Sequence, residues 1–143
     1  MQYNIGDSVS IRRIATEADI VKFAEISGDY NNIHFDEKEA KKASFRGVIM
    51  HGLFCLSMIS FLIGMKIPGN GAILLDETLK YMAPVYIGDE ITATVTVIEI
   101  INNDKMIVEF KCTNQSNKLV LKGQSTVKQA KEWVLIKRIL TIT

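Results

Sequence analysis

With 143 residues, the chain fits one domain of about 100 to 200 residues and is too short to carry a separate cofactor module. Hydrophobic residues make up 48% and charged residues 23%, a balance that supports a buried core and excludes intrinsic disorder. Lys and Arg total 17 against 16 Asp and Glu, a net charge of +1, which gives neither nucleic acid nor an anionic membrane a broad electrostatic footprint.

Residues Val9 to Ile14 read as an opening strand. Thr16 followed by Asp19 has the spacing of a capping box. Ile20, Phe23, Ala24 and Ser27 then repeat at helical spacing, predicting a helix from about Glu17 to Ser27 with Gly28 as its stop. The stretch Asp29 to Phe35 is dense in Asp and Asn and reads as a loop. Asp36 with Glu39 starts a second short helix that fades near Ala43.

The run Gly47 to Met65 carries no Lys, Arg, Asp or Glu, close to the 18 to 20 or so residues of a membrane span. His51, Ser57 and Ser60 bring polar groups into it, Gly52 and Gly64 interrupt it, and its flanks lack an anchoring belt. A wrapped core helix starting near His51-Gly52 is the better reading, and Pro68-Gly69-Asn70-Gly71 closes it.

From residue 72 the period becomes two. Ile91, Ala93, Val95 and Val97 alternate with Thr92, Thr94 and Thr96; Met106, Val108, Phe110 and Cys112 alternate with Ile107, Glu109, Lys111 and Thr113; Leu119, Leu121 and Val127 share a face. Gly88-Asp89, Asn102-Asn103-Asp104 and Ser116-Asn117 punctuate these strands, so successive strands are expected to pair antiparallel. The expected fold is α+β, one domain over 1–143, with a curved antiparallel sheet wrapped around a long central apolar helix. Its core covers about 3–130. The extension Lys131 to Thr143 fits a strand continuation, a short helix or a partner-facing segment equally well.

Cys55 and Cys112 sit in apolar segments and no leader pattern opens the chain, so a reducing cytoplasm is the expected compartment. Asp29 and His34 lead the residues that could do chemistry, because one loop can aim a carboxylate and an imidazole at the same water. A plain turn aspartate and a core histidine remain the structural alternative. At His51-Gly52, the Gly52 N–H is a first-turn donor that could hold an oxyanion, or glycine there serves only close packing. A His51/Cys55 nucleophile lacks a third orienting group. Two histidines without HExxH or CxxC give too few ligands for a closed zinc site, and neither GxGxxG nor GxxxxGK[ST] occurs.

Three strings carry a family resemblance: Ser27-Gly28-Asp29-Tyr30-Asn31-Asn32-Ile33-His34-Phe35-Asp36, then Ile49-Met50-His51-Gly52, then Ala83-Pro84-Val85-Tyr86-Ile87-Gly88-Asp89-Glu90. In this order, spanning about Ile14 to Ala130, they resemble the MaoC-like (R)-specific enoyl-CoA hydratases. The resemblance implies a hotdog fold and a homodimer joined at sheet edges, with further assembly of dimers left open, acting on acyl-CoA or acyl carrier protein thioesters; with no nucleotide-binding motif, no cofactor is expected. It implies Asp29 and His34 as the hydration pair, Asn31 as loop organiser, and the Gly52 amide as the group that polarises the thioester carbonyl. His51 and Ser60 would line the substrate site. Asn32 stands where the family has proline, and Met82 where many relatives have a basic residue, leaving Lys80 as the nearby candidate for the CoA phosphates. The rival activities on the same fold are an acyl-CoA thioesterase and a non-catalytic acyl-CoA binder.

Overall fold

The first helix begins where side chains replace missing helix partners. Thr16 Oγ1 accepts the Asp19 N–H at 3.3 Å and the Asp19 carboxylate accepts the Thr16 N–H at 3.0 Å, so both halves of the capping box form. Helix α1 covers Glu17–Ser27, and Gly28, at φ 75°, turns the chain out of it. Glycine enters that left-handed region without a Cβ clash.

The computed structural model describes residues 2–130; the segment 131–143 lies outside the described residues. Strand β1 (Ser8–Ile14) precedes α1, which is followed by a 3-10 turn (Asn32–His34), α2 (Glu37–Lys42) and α3 (Leu53–Met65). Then come β2 (Ala72–Tyr81), β3 (Glu90–Ile100), β4 (Lys105–Thr113) and β5 (Leu119–Gln129). The five strands form one sheet in the order β1-β3-β4-β5-β2, with every neighbouring pair antiparallel.

The period-two pattern assigns the faces of β3 and β4 correctly, and on β5 Leu121 and Val127 are buried as expected; Leu119, expected on their face, lines the outer groove instead, because an irregularity between Leu119 and Leu121 breaks the alternation. Ile91, Ala93, Val95, Val97, Met106, Val108, Phe110 and Cys112 are all buried, on the face that takes α3. The helix presents Phe54, Cys55, Met58, Ile59, Leu62 and Ile63 to it. Each fully buried side chain of this kind contributes about 1.5 to 3 kcal/mol, so the helix–sheet contact is the core of the domain.

Pairing of successive strands holds for β3, β4 and β5 but not for β2, which lies beside β5 at the far edge. The reason lies in residues 82–89. Pro84 has no N–H to give a hairpin ladder, and the neighbouring groups are engaged elsewhere. Val85 O accepts the Met50 N–H at 2.8 Å, and Tyr86 pairs with Ile49 in an isolated bridge. This segment therefore crosses the domain and ties down the chain that leads into α3.

The helix is shorter than the uncharged run. Its 13 residues span about 20 Å, and no helix among the described residues is long and apolar enough to cross a membrane. Nor is it wrapped on all sides. Leu53, Phe61 and Met65 of α3, with Ile73, Leu74 and Leu75 of the edge strand β2, stay 40–59% exposed.

Candidate active site

Leaving α1 at Gly28, the chain makes a tight Asx turn. Asp29 Oδ1 accepts the Asn31 N–H at 3.1 Å, which leaves Oδ2 to face inward. Asn31 in turn caps the 3-10 turn by accepting the Ile33 N–H at 3.4 Å. Its φ of −55° and ψ of 130° keep it out of the α region that a following proline disfavours. The loop thus holds a proline-compatible shape at residue 31 with Asn32 in the proline position.

His34 closes this turn and is buried, with 7% of its surface exposed. Its Nδ1 donates to Ile49 O at 2.7 Å, so Nε2 carries the lone pair and lies 4.0 Å from Asp29 Oδ2. Two acceptors at that separation do not bond each other. They can share a molecule with two O–H donors between them.

Gly52 caps the N-terminus of α3. A Cβ there would stand 2.7 Å from Tyr81 Cε1, so a larger residue would push the Tyr81 ring aside; the Gly52 φ of −56° is an ordinary one. Gly52 lines a cavity of about 580 Å³ together with His34, His51, Leu53, Tyr81 and Met82. The cavity therefore brings together the imidazole, the Gly52 end of the helix, where the first amides lack i−4 helix partners, and a largely apolar wall.

His51 is also drawn in, though as a buried neighbour of the pair. Its ring stacks on His34 at 3.9 Å between centroids, and its Nε2 donates to the Asp29 backbone O at 2.9 Å. One ligand-type atom from each of Asp29, His34 and His51 lies within 4.8 Å of the others, a set of three donors where a closed structural zinc site uses four.

Two expected site residues are not brought here. Ser60 is exposed and absent from the cavity wall; eight residues past Gly52, it lies about 12 Å further along the helix. Lys80 points to the opposite face of the sheet, into a larger groove of about 760 Å³ shared with Lys111 and Lys122. Alternation along β2 sends Tyr81 toward the cavity and Lys80 away from it. The Cys55–His51 nucleophile is also absent, since His51 Nε2 is engaged by Asp29 and Nδ1 has no partner. Sequence reasoning missed Tyr81 and the Ile49 carbonyl; neither has a local signal, since both meet the site through tertiary contacts.

The third sequence motif is structural. Asp89, 4% exposed, accepts the Tyr86 N–H at 2.9 Å and the Gln115 Nε2–H at 2.9 Å. That holds residues 84–86 where they can grip Ile49 and Met50.

A sheet folded over one apolar helix, with a carboxylate and an imidazole paired at that helix's N-terminus, is a hotdog architecture. Residues 2–118 match the model of the MaoC like domain, and the chain belongs to that family. It is 38% identical over 122 residues to an (R)-specific enoyl-CoA hydratase of Rhodospirillum rubrum, covering 85% of each chain. It is 37% identical to a mitochondrial 3-hydroxyacyl-[acyl-carrier-protein] dehydratase of Arabidopsis thaliana, covering 85% of this chain and 75% of that one. The solved structure of the (R)-hydratase from A. caviae matches with a TM-score of 0.85 at 29% identity, covering 90% of this chain and 98% of that one. The chain is an enzyme of the hydro-lyase class.

Burial lowers the His34 pKa from its ordinary 6.5, and the stacked His51 adds to this; the Ile49 bond and the Asp29 carboxylate pull it back up. The folded chain therefore binds this proton less tightly than the unfolded chain. The stability that His34 contributes is complete above pH 6.5 and is lost as pH falls through that value toward the folded one. An NMR titration is expected to place the His34 midpoint below 6.5, and lower still in Asp29→Asn. A wild-type midpoint at or above the ordinary value contradicts the account.

Proposed function

We propose that the protein hydrates trans-2-enoyl thioesters reversibly to (R)-3-hydroxyacyl thioesters, with Asp29 and His34 holding the reacting water. The observation that carries this reading is the pair of acceptors, 4.0 Å apart, beside the apolar cavity at the α3 N-terminus. A water placed between them donates one O–H to each. Its oxygen is then free to attack C3 of a double bond lying along the cavity.

In the step as proposed, His34 Nε2 takes one proton of the water while its oxygen bonds to C3. The electron pair of the double bond moves onto the thioester as an enolate, to whose oxygen the Gly52 N–H donates a hydrogen bond. One such donor supplies a few kcal/mol of transition-state stabilisation. The enolate then collapses and C2 takes the proton back from the pair, so that H and OH add to one face. Asp29 holds the second O–H throughout and stabilises the imidazolium that forms transiently.

The relatives named above act on CoA and on acyl carrier protein thioesters; we assign CoA as the carrier here. The chemistry as written uses no cofactor or metal. The reaction is placed in the cytoplasm, in fatty acid metabolism. Asn31 serves as loop organiser, and His51 belongs to the support of the pair. The active form is proposed to be a homodimer: β2 is an edge strand without proline, and an open edge with exposed Ile73, Leu74 and Leu75 is a template for a second copy.

With crotonyl-CoA, Asp29→Asn and His34→Ala are each expected to lower kcat by about 10²- to 10⁴-fold while the variants stay folded. Loss of the enoyl ultraviolet absorbance without thiol release marks hydration. Thiol release would assign a thioesterase, and binding with neither signal a non-catalytic carrier; near-wild-type turnover in either variant would remove the pair from the mechanism. Sedimentation should give twice the 16.0 kDa chain mass, and a monomer that turns over at full rate rules the dimer out as the active form.

A further inference from the structure

His51 performs no step in the proposed hydration, yet its side chain touches both members of the pair. The ring is 3% exposed and lies between Phe23, at 4.6 Å, and His34, at 3.9 Å and 30° from parallel. Its Nε2–H bonds the Asp29 backbone O at 2.9 Å and stands 3.8 Å from Asp29 Oδ2. The other nitrogen, Nδ1, is buried without a hydrogen-bond partner.

That unpaired nitrogen separates two explanations. If the position served packing alone, an apolar ring would fill it without leaving a buried polar atom unsatisfied. If it served only to tie down residue 29, an amide side chain would offer the same donor. Histidine supplies both a donor on one edge and a flat face, and the unsatisfied nitrogen is the cost of having the two together. Covalently, the residue is also joined to Gly52. It therefore links the carboxylate, the imidazole and the amide that the reaction needs.

We propose that His51 is a positioning residue that sets the separation of Asp29 and His34: its Nε2–H holds the main chain of residue 29, and its ring face fixes the plane of His34. The kinetic consequence rests on the hydratase reading; the geometric one does not. Small displacements of reacting groups cost much in rate, so loss of either contact should appear in kcat before it appears in KM.

Two substitutions divide the contacts. His51→Phe keeps the ring between Phe23 and His34 but removes the donor; His51→Gln keeps a donor for the Asp29 carbonyl but removes the ring. With crotonyl-CoA as the probe, His51→Phe is expected to fold normally and lose at least about tenfold in kcat, with KM within about twofold. His51→Gln should recover part of that loss. In NMR spectra the His34 ring protons, shielded by the stacked ring, should move downfield in His51→Gln and stay near their wild-type positions in His51→Phe.

Unchanged kcat in both variants overturns the proposal, as does a fall in kcat that only follows a fall in the folded fraction. If the wild-type protein does not hydrate crotonyl-CoA, the functional reading fails by itself. The His34 shifts still decide the geometry: a downfield move confined to His51→Gln supports the stack, and no move in that variant overturns it.

Discussion

The site depends on one hydrogen bond, from His34 Nδ1 to the carbonyl of Ile49 at 2.7 Å. It assigns the proton to one ring nitrogen and leaves the other with its lone pair facing Asp29, as a fixed tautomer requires. The acceptor is itself held in place. Ile49 N–H bonds Ile33 O, and Met50 N–H bonds Val85 O, so the segment entering α3 is clamped between the Asp29 loop and residues 84–86. Buried Asp89, through its bonds to Tyr86 and Gln115, keeps that outer clamp closed.

Around this bond the environment separates the two side chains. His34 is buried while Asp29 is about half exposed, so the imidazole loses solvation and its pKa falls, keeping it an acceptor near neutral pH. The apolar helix serves two purposes. Its buried side chains make the core with the sheet, and its first turn contributes Gly52, Leu53 and Cys55 to the cavity. Cys112 lies in the core, where a hydrogen bond with Cys55, together with burial, pushes its thiol pKa up, away from the thiolate a nucleophile needs.

What was legible in the sequence was local. The Thr16–Asp19 cap and Gly28 gave both ends of α1, because capping is decided within a few residues. Strand faces followed from alternation, and Asp29 and His34 were placed together because one short loop carries both. What was not legible depends on contacts far apart in the chain. The position of β2 beside β5 follows from where residues 82–89 are tied. Lys80 is close to the cavity in sequence yet lines the other sheet face, because side chains alternate along a strand, and Ser60 is two helical turns beyond the cavity end of α3, at about 12 Å. The exposed side of α3 was hidden for another reason: an uncharged helix gives the same pattern whether this chain or a second copy covers it.

In the proposed reaction, one water held from one side by Asp29 and His34 supplies both groups added to the double bond. Hydrating crotonyl-CoA in D₂O and determining the configuration at C2 and C3 tests it most directly. The account predicts a single deuterium at C2 on the same face as the new C3 hydroxyl, and the (R) configuration at C3. Deuterium on the opposite face, or distributed over both, would contradict it.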